Sequence, residues 1–325
     1  MTAMLLDTFG RAATDMRVSL TDKCNLRCTY CMPAEGLPWL PAPELLTDDE
    51  IVRLVTVAAS MGVTTVRLTG GEPLIRPGLP GLVERLASLV ELSLTTNGLG
   101  LTKLAQPLAD AGLRRVNVSL DTLRPERFLS LTRRDRFDDV IAGLAAATAA
   151  GLSPVKVNTV LMRGVNDDEA GDLLAWCLDH GYELRFIEQM PLDPQHGWDR
   201  STMVAADEIL EMLSGRHELT PCERGTAPAE VWLVDGGPAR VGVVGSVTRP
   251  FCGTCDRIRL TADGQLRTCL FAREESDLRA PLRAGATDAE LAVRMQVAVR
   301  GKKAGHGIDD PDFLQPDRPM SAIGG

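Results

Sequence analysis

Six times between Met16 and Met190 the chain sets a short apolar run before or after a helical stretch. The strand-like runs occupy 16–20, 65–69, 91–95, 115–120, 154–162 and 183–190. Helical patterns fall near 47–60, 79–89, 101–111, 137–150 and 167–179, several opening on Asp or Thr and closing before Gly62, Gly112, Gly151 or Gly181. Strands alternating with helices at this spacing require a parallel sheet covered by helices. Six such units, fewer than the eight of a closed barrel, predict an α/β fold built as an incomplete (β/α)6 TIM-type barrel. In such a barrel chemistry sits at the C-terminal ends of the strands.

Beyond 191 the alternation stops. One helix is expected near 204–214. Strands near 230–235 and 239–247 turn at Asp235-Gly236-Gly237. A second hairpin, 258–261 with 265–269, turns through Ala262-Asp263-Gly264, and helices follow near 275–284 and 287–300. The tail is polar and carries three prolines. Two units are expected: a partial barrel over 1–228 and a C-terminal α+β extension over 229–325.

Every polar motif lies just after a strand. After the first run comes Cys24-x3-Cys28-x2-Cys31, and the extension carries Cys252-x2-Cys255-x13-Cys269. Soft thiolates hold iron–sulfur clusters, usually four to a cluster. Three per triad would leave one iron open to a further ligand. Zinc is the competing reading, but it prefers four protein ligands and paired CxxC knuckles. Disulfides need an oxidising compartment. No basic stretch leads from the first Met into an apolar run, and no window approaches the ~20 apolar residues of a membrane span. A cytoplasmic protein without a membrane partner is expected. Cys177 and Cys222 lie outside both triads, and no histidine is assigned to metal.

Net charge is −9, which disfavours nucleic acid as a partner. Local positive charge tells a different story. Of 35 basic residues only five are lysines, and one, Lys156, sits inside a strand beside Asn158 on one face. An inward lysine needs an anion, a phosphate being the obvious one. Arg17, Arg67 and Arg185 lie on three other strands, and Arg257 and Arg259 share one face around Ile258. Converging on one lumen, these arginines would bind a polyphosphate. Gly70 and Gly71, in the TGGEP turn at 69–73, let the backbone approach a ligand closely. The strand ends at Thr95 and Ser119 offer hydroxyls suited to ribose or amino-acid groups.

The cysteine loop followed by the GGEP turn resembles the radical S-adenosylmethionine (SAM) enzymes. The further segments LTTNG at 94–98, NVSLD at 117–121, KVN at 156–158, RFIE at 185–188, FCGTCDRIR at 251–259 and the final Gly324-Gly325 resemble the family of GTP 3′,8-cyclases of molybdenum-cofactor biosynthesis. The resemblance implies a lyase with two [4Fe-4S] clusters, one on Cys24, Cys28 and Cys31 and one on Cys252, Cys255 and Cys269. It implies SAM contacts at Tyr30, Gly71, Ser119 and Met190. It implies GTP contacts at Arg17, Arg67, Thr95, Lys156, Arg257, Ile258 and Arg259. Arg17, Arg257, Arg259 and the tail glycines Gly324 and Gly325, threading into the lumen, are expected to be needed for catalysis. One electron from an external donor would cleave SAM, the resulting radical would take hydrogen from C3′ of GTP, and C3′ would join C8. A cyclic pyranopterin monophosphate synthase would then act on the product. Homodimers occur in the family, and nothing in the pattern here requires one. The alternatives are a peptide-modifying two-cluster radical SAM enzyme, which has no need of so many arginines, and a non-catalytic metal-binding protein, which would show four cysteines per site and no GGEP turn.

Overall fold

A computed structural model describes residues 4–324. In chain order the elements are β1 (Asp15–Ser19), α1 (Asp48–Ser60), β2 (Thr65–Thr69), α2 (Leu79–Ala87), β3 (Glu91–Thr96), α3 (Leu101–Asp110), β4 (Arg115–Ser119), α4 (Pro125–Thr132) and α5 (Phe137–Ala149). Then come β5 (Val155–Leu161), α6 (Ala170–Asp179), β6 (Glu183–Glu188), α7 (Ala206–Ser214), β7 (Leu219–Pro221), β8 (Glu230–Val234) and β9 (Arg240–Val244). The chain closes with β10 (Arg257–Leu260), β11 (Gln265–Arg267), β12 (Ser276–Asp277), α8 (Arg279–Arg283), α9 (Asp288–Arg300) and α10 (Met320–Ile323).

The twelve strands among the described residues form one sheet, ordered β12-β11-β10-β1-β2-β3-β4-β5-β6-β9-β8-β7. Strands β1 to β6 run parallel in chain order, as the alternation predicts for a partial barrel. Period-2 side-chain alternation then divides each strand between two surfaces. Met16, Val18, Val66, Leu68, Leu92, Leu94, Val116 and Val118 are at most 1% exposed and face the helices. Burying each such side chain contributes roughly 1.5–3 kcal/mol. Arg17, Arg67, Ser93, Asn117 and Arg185 take the other surface. Burying a charge there costs several kcal/mol per ion. The helix-facing side stabilises the barrel, and the lumen side must be explained by what it binds.

The helices begin where their sequences permit. Thr47 caps α1 in a reciprocal box with Glu50. The expected helix at 275–284 is overturned in its first turn, since Ser276–Asp277 pairs with β11 as β12. Pro281 is tolerated only in a first helical turn, so α8 cannot begin much before Arg279. Besides β12, three short elements among the described residues went unforeseen: α4, β7 and α10.

The extension departs more substantially from a separate pair of hairpins. Strand β9 pairs in parallel with β6, and β10 pairs in parallel with β1. The parallel part of the sheet therefore has eight neighbours, with one strand from each C-terminal hairpin placed against each edge of the six-strand barrel.

Candidate active site

Two backbone turns at the strand ends are locked together. The Gly71 N–H donates to the Thr21 carbonyl at 2.7 Å, and the Glu72 N–H to Lys23 at 2.7 Å. A Cβ on Gly71 would lie 2.2 Å from the Lys23 carbonyl oxygen, so only glycine lets the GGEP turn sit against the cysteine loop. Glu72 is fully buried. Its carboxylate accepts from the Thr96 hydroxyl at 2.7 Å and from the backbone of Asn97 at 2.7 Å and Leu74 at 2.9 Å. Burial pushes its pKa up to about 7 despite those donors. The glutamate thus ties the ends of β2 and β3. Asn97 in turn donates to Asn25 at 2.7 Å, inside the cysteine loop. The Arg27 guanidinium closes that loop on the Cys24 carbonyl at 2.7 Å.

The strand ends, the cysteine loop and β10 enclose one cavity of about 320 Å³. All six triad cysteines line it. None of the eight cysteines is in a disulfide. Burial, followed by repulsion from neighbouring cysteines and Asp121, pushes the Cys28 thiol far up and the Cys31 thiol to about 12. Burial would raise Cys255 too, but Arg257 and Lys302 beside it hold that thiol below its ordinary value. Among the described residues no three His, Cys, Asp or Glu side chains converge on a point one metal ion could occupy. A four-iron cluster takes each thiolate on a different iron, so its ligands need not converge in that way. Soft donors, three to a group on one cavity wall, fit such a cluster.

Tyr30, Gly71, Ser119 and Met190, the residues assigned to SAM, line the same cavity as the first triad. Tyr30 is more than a packing ring, because its hydroxyl donates to Asp121 at 2.6 Å.

Five arginines converge on the lumen: Arg17, Arg67, Arg185, Arg257 and Arg259 all line the cavity. Strand register explains it. Arg17 lies directly beside Arg67 on β2 and Arg259 on β10. Among the described residues none of the five is in an ion pair. Burial first, and then the other arginines, depress the pKa of Arg17, Arg67 and Arg259. Two donors, the Arg17 Nε and an Arg257 Nη, are buried without any hydrogen-bond partner, and so is one acceptor, the Asn158 Oδ1. Buried donors and uncompensated positive charge together describe a polyanion site.

Two residues assigned from the sequence lie apart from the others. Lys156 sits beside Asn117 in the row below Asn158, outside the cavity lining, and its ammonium pairs with the Glu183 carboxylate. The anion it needs comes from the neighbouring strand. Ile258 points into the hydrophobic core, so only its backbone can meet a ligand. Thr95 lines the cavity and accepts from Asn117 at 3.2 Å.

The tail enters the barrel. Ser19 donates to the Ile323 carbonyl at 3.0 Å, and Arg259 donates to the Gly324 carbonyl. Gly324 has φ +87°, and a Cβ there would lie 2.2 Å from the Ser19 Oγ. Gly325 lies outside the described residues. His306 and Ser321 also line the cavity, each with a buried polar atom lacking a partner. Sequence reasoning missed both, because neither stands near a motif or in a spaced pair.

A partial parallel barrel with three cysteines after its first strand and a GGEP turn after its second defines a radical SAM enzyme. Residues 18–177 match the Radical SAM superfamily, and residues 182–308 match the family described as Molybdenum Cofactor Synthesis C. A GTP 3′,8-cyclase of Streptomyces coelicolor is 68% identical over 99% of this chain and 96% of its own. One from Mycolicibacterium smegmatis is 58% identical over 99% and 92%. The chain belongs to the GTP 3′,8-cyclase family. Solved structures agree on the fold. Streptococcus suis SuiB bound to precursor peptide SuiA matches with TM-score 0.63 at 14% identity, over 90% of this chain and 68% of SuiB. Methylornithine synthase matches at 0.51 and 16% identity, over 87% and 86%.

Proposed function

We propose that this cavity seats SAM and GTP together, with the two triads at its walls and the arginines on the triphosphate. The enzyme is a radical SAM GTP 3′,8-cyclase, a lyase converting GTP to (8S)-3′,8-cyclo-7,8-dihydroguanosine 5′-triphosphate. The observation that carries the site assignment is the unpaired arginine group beside both triads. A peptide substrate would leave that charge uncompensated.

Cys24, Cys28 and Cys31 would hold one [4Fe-4S] cluster, and Cys252, Cys255 and Cys269 a second. When bound, the first cluster and SAM supply a one-electron cleavage that yields the hydrogen-abstracting radical. The chain's own part is placement. Tyr30, Gly71, Ser119 and Met190 hold SAM. Arg17, Arg67, Arg257 and Arg259 fix the triphosphate by charge-assisted hydrogen bonds, and Thr95 assists. Fixing both partners converts an encounter into an oriented reaction and excludes water from it. Gly324 fills the lumen beside Arg259 without a side chain to obstruct the substrate. An external one-electron donor feeds the site, and a cyclic pyranopterin monophosphate synthase takes the product.

The test is anaerobic turnover with GTP deuterated at C3′, followed by mass spectrometry of the 5′-deoxyadenosine formed. Deuterium in that product is expected. Unlabelled 5′-deoxyadenosine would move the reacting hydrogen elsewhere, and its absence from a fully loaded protein would remove the catalytic assignment.

A further inference from the structure

One buried cation belongs to neither the arginine group nor any ion pair among the described residues. Lys302, just past the end of α9, is 5% exposed. Its ammonium donates to the Cys255 carbonyl at 2.7 Å, the Arg257 carbonyl at 2.9 Å and the Cys255 Sγ at 3.5 Å. Three acceptors use three N–H groups, which an ammonium has and a neutral amine lacks. A buried cation without a counter-charge costs several kcal/mol. Of its three partners only the sulfur can carry a negative charge.

The surrounding loop is built onto the same triad. Arg11 donates to the Cys252 carbonyl at 2.5 Å and the Ala304 carbonyl at 3.0 Å, tying the N-terminal segment to both sides of the site.

We propose that Lys302 is a positioning residue for the second cluster, holding the Cys255 thiolate and, as a fixed positive charge against that sulfur, raising the cluster's reduction potential. The inference rests on the assignment of a second cluster to Cys252, Cys255 and Cys269. Hydrogen bonds and positive charge at a ligating sulfur stabilise the reduced, more negative state. A lysine that merely capped two carbonyls would leave the potential unmoved.

The test uses the anaerobically reconstituted full chain and K302M, K302Q and K302R, with iron and sulfide content and electron paramagnetic resonance redox titration as readouts. Adding SAM separates the clusters, since the signal from the first triad responds to it. Wild-type protein carrying only about four irons would remove the second-cluster assignment itself, whereas about eight leaves it standing. In loaded K302M the SAM-insensitive signal is expected to titrate at a more negative potential, K302Q to shift in the same direction, and K302R to stay nearest wild type. An unchanged potential in K302M overturns the proposal, as does an equal shift of both signals. If K302M does not load its second cluster, K302R loading where K302Q fails supports the role of charge, and any other pattern of loading between those two assigns Lys302 to packing.

Discussion

Arg17, Arg67 and Arg259 stand side by side on three adjacent strands, where backbone pairing forces like charges together. Such a row opposes folding in the free protein and favours it with a polyphosphate bound. Arg17→Met is therefore expected to weaken GTP binding roughly 10–100-fold, the range for losing a charge-assisted hydrogen bond of about 1.5–3 kcal/mol. It should also raise the melting temperature of the ligand-free chain. Calorimetric titration and thermal melts check both, and a lowered melting temperature would make the arginine part of the scaffold. At the other end of the chain, Gly324→Ala would drive a methyl to within 2.2 Å of the Ser19 Oγ at a φ of +87°. That variant, like deletion of Gly324 and Gly325, is expected to abolish cyclisation with the iron content of both clusters intact. The triad cysteines and the strand arginines could be singled out in the sequence because spacing and residue type suggest their chemistry, whereas the terminal glycines drew notice only through the family resemblance. Lys156 was half legible. Its face was predicted, but its partner Glu183 lies 27 positions away on the next strand and only register brings it near.

At the scale of elements, the GGEP turn and the cysteine loop act as one unit. Gly71→Ala would place a Cβ against two carbonyl oxygens, at 2.2 Å from Lys23 and 2.5 Å from Asp22. Neither backbone can yield without breaking the turn. The expected result is iron lost from the first triad, with the second triad still loaded, measured as iron per chain. The tail has its own strap. Arg318 donates to both Asp263 oxygens, at 3.0 and 2.8 Å, and to Glu275 at 2.9 Å. Burial opposes ionisation of Asp263, but the Arg318 and Thr261 hydrogen bonds prevail and hold its pKa below the ordinary 3.8. A carboxylate with a depressed folded pKa stabilises the chain above its unfolded pKa and loses that contribution as pH falls through the folded one. Acid unfolding of the cluster-free chain below about pH 4 should therefore be shallower in Asp263→Asn than in wild type, with circular dichroism as the readout. The strap was invisible in the sequence, since Asp263 read only as a hairpin turn and Arg318 as part of a polar tail.

For the whole molecule, the decisive fact is that the C-terminal hairpins supply both outer neighbours of the barrel sheet. Strand β10 covers the edge of β1 and β9 the edge of β6. A chain ending at residue 228 would expose two long parallel edges, so we expect it to aggregate rather than fold, as checked by light scattering and solubility. The division of the chain at 228 is proposed as a boundary of sequence character, not of independent folding. By itself the sequence determined the α/β alternation, the shared face of Lys156 with Asn158 and of Arg257 with Arg259, and the spacing of the two cysteine triads, and it suggested a polyphosphate for the arginines. These follow from local period, spacing and side-chain type, which need no knowledge of neighbours. Only the tertiary structure decided which strands meet across long crossovers, that Glu183 answers Lys156, that Lys302 reaches the Cys255 sulfur and that the tail closes on Arg259. Those contacts join residues as many as 304 positions apart, as between Ser19 and Ile323. Their existence depends on sheet order and register, which no local pattern encodes.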